Sequence, residues 1–163
     1  MVKIVAISGS GNGAGKSTLA HLLSNPVWSI AGGIRAELKV ELPGYDWDNK
    51  TQAYKDKVKV TERDDKTVRQ VMIEHGQKRC KSDPAYWIKK LCNRIETGNV
   101  LIGQQIIAID DVRKIVEIDY LKARFGAVVT HFHIKSSHAQ KEAEFDNDAL
   151  EQVADYVTEW NKK

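Results

Sequence analysis

The stretch Lys3-Ile4-Val5-Ala6-Ile7-Ser8-Gly9-Ser10-Gly11-Asn12-Gly13-Ala14-Gly15-Lys16-Ser17-Thr18 carries the reading of the fold. Val2 to Ile7 is a short apolar run broken only by Lys3, which predicts a strand buried on both faces, as in a parallel sheet. Ser8-Gly9 ends it. From Lys16 the apolar positions Leu19, Leu22 and Leu23 return at helical spacing, and Asn25-Pro26 stops the helix. A buried strand that passes through a glycine-rich turn straight into a helix predicts an α/β architecture.

The rest of the chain repeats that alternation. Val27 to Ile30 reads as a second strand and Ile34 to Leu42 as a short helix closed by Pro43-Gly44. Residues 44–66 are polar, with Tyr45, Trp47 and Tyr54 scattered among charges, and read as an excursion from the core. Asp64 or Asp65 is the expected cap of a helix carrying Val68, Val71 and Met72 and running to Gly76. Ser82-Asp83-Pro84 opens the next helix, whose face is Ile88, Leu91 and Ile95 and whose end is Gly98. Ile106 to Ile109 is a strongly buried strand ending in Asp110-Asp111. A helix with Ile115, Ile118, Leu121 and Phe125 follows and closes at Gly126. Ala127 to Ile134 is a further strand, and Asn147 is the expected cap of a last helix through Leu150, Val153 and Val157. Strands alternating with helices predict a mainly parallel sheet covered by helices on both faces.

Bulk properties narrow the function. At 163 residues the chain reads as one domain, with 42% hydrophobic and 29% charged residues, which fits neither a disordered chain nor a membrane span. The net charge of +3 is too mild for a nucleic-acid-binding stripe and suits phosphate-bearing small molecules. The opening apolar run is too short for a signal peptide. Cys80 and Cys92 fit neither a disulfide framework nor a four-ligand zinc site. A cytoplasmic protein with reduced thiols is the expectation.

The loop from Ser10 through Gly11, Asn12, Gly13, Ala14 and Gly15 to Lys16, Ser17 and Thr18 has the chemistry of a triphosphate cradle. Glycines let successive backbone N–H groups turn inward, and the following helix adds its positive end, so anionic oxygens are held with few side chains. Lys16 would reach the β and γ phosphates of ATP, and Ser17 would ligate Mg²⁺. The strict motif asks for glycine where this chain has Ser10, and Gly9 and Gly11 flank that position. The metal needs an acid as well. The strand Ile106 to Ile109 delivers Asp110 and Asp111 at its C-terminal end, where ligands gather in open α/β sheets. Spacing does not decide which of the two serves the metal.

With these residues in hand, the chain resembles the bacteriophage deoxynucleoside monophosphate kinases, a branch of the P-loop nucleotide kinases. Ser29-Ile30-Ala31-Gly32-Gly33-Ile34-Arg35-Ala36-Glu37-Leu38 is similar to the family's Ser-Phe-Ala segment with its basic residue and Glu-Leu. Arg69 to Gly76 resembles its arginine-led helix, and Asp83-Pro84-Ala85-Tyr86-Trp87 its Asp-Pro-x-x-Trp stretch. Asp111-Val112-Arg113 matches its Asp-Val-Arg. His138-Ala139 with Glu142, and Asp146-Asn147-Asp148 with Leu150-Glu151, are similar to its tail.

The resemblance implies a three-layer P-loop kinase fold over 1–163, with 135–146 as a short lid-like segment. It implies transfer of the ATP γ-phosphoryl group to a nucleoside or deoxynucleoside monophosphate in the cytoplasm, the host's if the chain is phage-encoded. Lys16, Arg69, Asp111 and Arg113 would be catalytic. Arg35, Arg69, Trp87, Asp111 and Arg113 would bind the acceptor, with Trp87 near the base, and Ser17 and Asp110 would hold the metal. Two rival functions stand beside this one: a P-loop kinase of another metabolite, such as dephospho-coenzyme A, and a non-catalytic nucleotide-binding module. The expected partners are small-molecule nucleotides, with no nucleic acid and no membrane, and a homodimer is left open. Read from their residues alone, Trp87 is equally a core position, the three arginines are equally solvated helix charges, and His131 and His133, sharing one strand face, are structural.

Overall fold

A computed structural model describes residues 2–11, 13–49, 51–97, 105–137, 139 and 146–159. The 163 residues divide into two compact units, Met1–Ile30 with Ile88–Lys163, and Ala31–Trp87.

The first unit is built on a four-stranded parallel sheet flanked by helices. Its elements are β1 (Lys3–Gly9), α1 (Lys16–Leu23), most of α5 (Tyr86–Thr97), β4 (Ile106–Ile109), α6 (Ile115–Phe125), β5 (Val129–Lys135), α7 (Asn147–Gln152) and β6 (Tyr156–Glu159). The strand order is β4-β1-β5-β6. Every residue of β1 after Lys3 is buried, as a central parallel strand requires. Side chains alternate across the sheet, and the two faces differ. Val5 and Ile7 join Ala20, Ala108 and Ile134 in an apolar cluster beneath α1. Ala6 and Ser8 lie on the opposite face in register with His131 and His133. α6 closes on Gly126, whose φ of 63° is left-handed.

The second unit contains α2 (Ala31–Glu41), α3 (Gln52–Lys57), the short antiparallel pair β2 (Lys59–Val60) and β3 (Lys66–Thr67), and α4 (Val68–Cys80). The expected polar excursion at 44–66 is corrected here. Trp47 and Val60 are buried with Leu38, Leu42, Val68 and Val71, and Tyr45, Tyr54 and Val58 pack around them. The Trp47 indole donates to the Leu42 carbonyl at 2.8 Å, so the ring is satisfied inside an apolar core. Large aromatic residues dispersed among charges are still enough to close a small core.

Several local expectations change. Val27 to Ile30 contributes only a single parallel bridge, Trp28 to Ile109. The cap of α4 is Thr67, whose hydroxyl accepts from the Gln70 N–H while the Gln70 side chain returns to the Thr67 N–H. Asp64 and Asp65 instead make the turn before it, both at positive φ. α4 passes through Gly76 to Cys80 because that glycine serves packing: a Cβ there would meet Ile34 Cδ1 at 3.0 Å. Gly98 lies outside the described residues, as does most of 135–146. The last helix is capped at Asp146 rather than Asn147 and stops at Gln152, and Val157 belongs to β6. The reason is a clasp. Asp155 donates its N–H to the His131 carbonyl at 3.0 Å and accepts the His131 N–H on its carboxylate at 2.7 Å, which starts strand pairing instead of another helical turn. Among the described residues no helix is long and apolar enough to cross a membrane.

Candidate functional site

β1 ends at Gly9 and α1 begins at Lys16, so the glycine-rich loop sits at the C-terminal edge of the sheet. Gly15, at φ 95° and ψ 8°, occupies the N-cap of α1 in a conformation that costs a side chain dearly. Gly9 is required for a different reason. A Cβ there would stand 3.0 Å from the Ile134 carbonyl oxygen and 3.1 Å from Ala14 Cβ. Ser10, the departure from the strict motif, anchors the loop to the neighbouring strand. Its N–H donates to the Ile134 carbonyl at 2.9 Å, and its hydroxyl accepts the Ser136 N–H at 3.0 Å. Lys16 folds back over the loop, donating to the Gly11 carbonyl at 2.6 Å. The first turn of α1 carries no acid of its own. Asn12 lies outside the described residues. Ala14 is buried and Thr18 is exposed on α1.

The acidic end of β4 meets this loop because β1 and β4 are neighbours in register, Ala6 beside Ile109. Ser17 Oγ donates to Asp110 Oδ2 at 2.8 Å. Asp111 turns to another task. It accepts from Ser29 Oγ at 2.8 Å and from the Ile30 N–H at 2.7 Å, tying down the segment before α2. The two adjacent acids therefore differ in role: Asp110 addresses the glycine loop and Asp111 a backbone turn. Arg113 is half-buried in the same loop, its main chain held by Glu117 and Asp146.

Behind the loop lies a polar cluster in the sheet itself. Ser8 Oγ is 2.7 Å from His131 Nε2 and 2.9 Å from His133 Nδ1, and all three residues are buried. One hydroxyl proton can serve one ring nitrogen, so the other ring must donate its own N–H to the same oxygen. Burial pushes the His131 imidazole down to about 4, with His133 acting in the same direction, and burial likewise lowers His133. Both rings are neutral near pH 7. His133 also lines a pocket of about 480 Å³ beside Ser10, together with Lys135, Ser136, Asn147 and Glu151. Lys135 and Glu151 form an ion pair at 2.8 Å across it.

The remaining expected site residues lie in the second unit. Arg35 is 4.0 Å from Asp48. Arg69 pairs with Asp56 through Nε, while its Nη2 is buried with no hydrogen-bond partner among the described residues. Trp87 is an interior residue, 4% exposed, donating to the Gly76 carbonyl at 3.0 Å and packed edge-on against Tyr86. Glu37 is the polar centre of this unit, accepting from Tyr86 Oη at 2.8 Å and Arg79 Nη2 at 3.0 Å, with His75 Nε2 at 2.9 Å.

Sequence reading gave no site role to four residues that shape the site: Ser8, Ser136, Glu117 and Asp146, the last quoted only within the Asp146-Asn147-Asp148 tail of the resemblance. Glu117 alone had a local signal, an acid at the third position of a helix, where it can return to the preceding N–H groups. Comparison with known proteins gives neither a matching family model nor a matching curated protein.

Proposed function

We propose that this chain is a nucleoside or deoxynucleoside monophosphate kinase of the P-loop type, transferring the γ-phosphoryl group of ATP·Mg²⁺ to a monophosphate acceptor in the cytoplasm. The observation that carries the reading is the Ser17–Asp110 contact of 2.8 Å beside Lys16 and the glycine loop. A hydroxyl and a carboxylate held together offer hard oxygen ligands, and Mg²⁺ prefers few protein oxygens and keeps its other positions for water and phosphate. Ser17 and Asp110 would hold the ion, which when bound supplies charge neutralisation at the transferred phosphoryl group. Lys16 would leave the Gly11 carbonyl for phosphate oxygen. The N–H groups at the start of α1 would add to the cradle.

The acceptor assignment rests on the family resemblance. Arg69 supports it, because its buried Nη2, which has no hydrogen-bond partner among the described residues, is matched by an anionic oxygen. An acceptor phosphate ionises with a second pKa near 6, so it attacks without a general base, and catalysis reduces to alignment and charge stabilisation.

A coupled ADP-release assay over the common ribo- and deoxyribonucleoside monophosphates tests the proposal. Turnover that depends on a monophosphate supports it. Turnover with dephospho-coenzyme A alone makes the protein a metabolite kinase, and ATP binding without any acceptor-dependent turnover makes it a binding module.

A further inference from the structure

The loop that follows β4 is pinned from several sides, and one of the pins is a buried carboxylate that the proposed chemistry does not use. Glu117 Oε2 accepts the Arg113 N–H at 2.8 Å and the Lys114 N–H at 3.0 Å. Asp146 completes the clamp from the other side, accepting the Ile115 N–H at 3.0 Å and donating its own N–H to the Arg113 carbonyl at 3.0 Å. The Val112 N–H reaches back to the Ile7 carbonyl of β1 at 3.2 Å. Asp110 and Asp111, at the head of this loop, are therefore followed by a backbone that Glu117, Asp146 and the Ile7 carbonyl hold in place.

We propose that Glu117 is a positioning residue for the nucleotide site, holding the 111–115 backbone so that Asp110 meets Ser17. This rests on the nucleotide-kinase reading of that site. A carboxylate that accepts two N–H groups is a stronger clamp than a neutral acceptor, by about tenfold or more in an equilibrium. Burial pushes the Glu117 carboxyl up to about 7, with Asp111 adding in the same direction against the two N–H groups and the Lys114 ammonium. Its charge is therefore lost within the ordinary working range, and the clamp weakens as pH falls from 8 to 6.

The test compares wild type with Glu117→Gln in two measurements. In the first, a fluorescent ATP analogue with Mg²⁺ is titrated at pH 8 and pH 6. The variant should bind about tenfold more weakly at pH 8, and the difference should shrink towards none at pH 6. A helix cap with no link to the site would give no pH-dependent gap, and that result overturns the proposal. The second measurement needs no nucleotide. Amide exchange at Val112 and Ile115, whose N–H groups bond to the Ile7 carbonyl and to Asp146 rather than to Glu117, should be about tenfold faster in the variant at pH 8. Unchanged exchange overturns the role of Glu117, whatever the nucleotide result. The Arg113 and Lys114 amide shifts of the wild type should titrate near neutral pH, a reading that survives if the variant misfolds, and flat shifts count against the proposal. A wild type that binds no Mg·ATP instead overturns the nucleotide reading itself.

Discussion

Ser17, on the first turn of α1, donates its hydroxyl to Asp110, 93 residues later at the end of β4. Neither residue's local sequence requires the other. Parallel pairing of β1 with β4 puts both strand ends on one edge of the sheet, and the contact follows. If this pair serves the metal, Asp110→Asn should reduce phosphoryl transfer by about a hundredfold and steepen its Mg²⁺ requirement, because a charged ligand has been replaced by a neutral one. Initial rates across a magnesium titration measure both effects. An unchanged magnesium dependence would assign the ion elsewhere.

Lys16→Ala should abolish transfer, by about a hundredfold or more, with little change in melting temperature, because the lysine is half-buried and donates to the Gly11 carbonyl of its own loop rather than to a buried core group. Thermal melting beside the coupled assay separates the two. Full activity in the variant rejects the donor site.

Arg69→Ala should raise the KM for the monophosphate more than that for ATP, since its proposed role is with the acceptor. Steady-state kinetics with each substrate varied in turn provide the check. Equal losses for both substrates would make the arginine a structural partner of Asp56 only.

Acid should destabilise the sheet through the buried histidines. His131 ionises near 6.5 when unfolded but is lowered to about 4 by burial in the fold, so between those values the unfolded chain binds a proton that the native chain refuses. Its contribution is intact above pH 6.5 and lost progressively as pH falls towards 4, at most about 3 kcal/mol. Urea midpoints at pH 7.5 and 5.0 should show that fall in the wild type and a smaller one in His131→Gln. Equal slopes would exclude the histidine as its source.

Trp47→Ala should cost about 3–5 kcal/mol, the usual penalty for emptying a buried aromatic site, plus an orphaned Leu42 carbonyl. Equilibrium denaturation is the measurement, and a loss below about 1 kcal/mol would mean the 44–66 segment contributes little to its unit's core.

Much of this protein is legible in short windows. The apolar run of β1, the helical spacing of Leu19 and Leu23, the face of Ile88, Leu91 and Ile95, and Gly126 beyond α6 each encode their structure within a few residues, because periodicity and backbone preference are local properties. Windows failed where local preferences competed. The Val153–Val157 spacing suits a helix, yet Asp155 grips the His131 backbone and turns the chain into β6, whose Tyr156 stacks on Phe132 at 4.9 Å. Asp64 and Asp65 suit a cap, yet Thr67 with Gln70 makes the better one.

By itself, then, the sequence determined the parallel α/β character, the glycine loop with Lys16 and Ser17, and the acidic end of the strand from Ile106 to Ile109. Only tertiary structure decided that Asp110 takes the serine while Asp111 takes a backbone turn. It also decided that Ser8 lies between two histidines more than 120 residues away, and that Ser10 is tied to Ser136. The reason is physical. Spacing along the chain governs which side of an element a residue occupies, but which residues meet across a sheet depends on strand order and register, and those emerge only when the whole core packs.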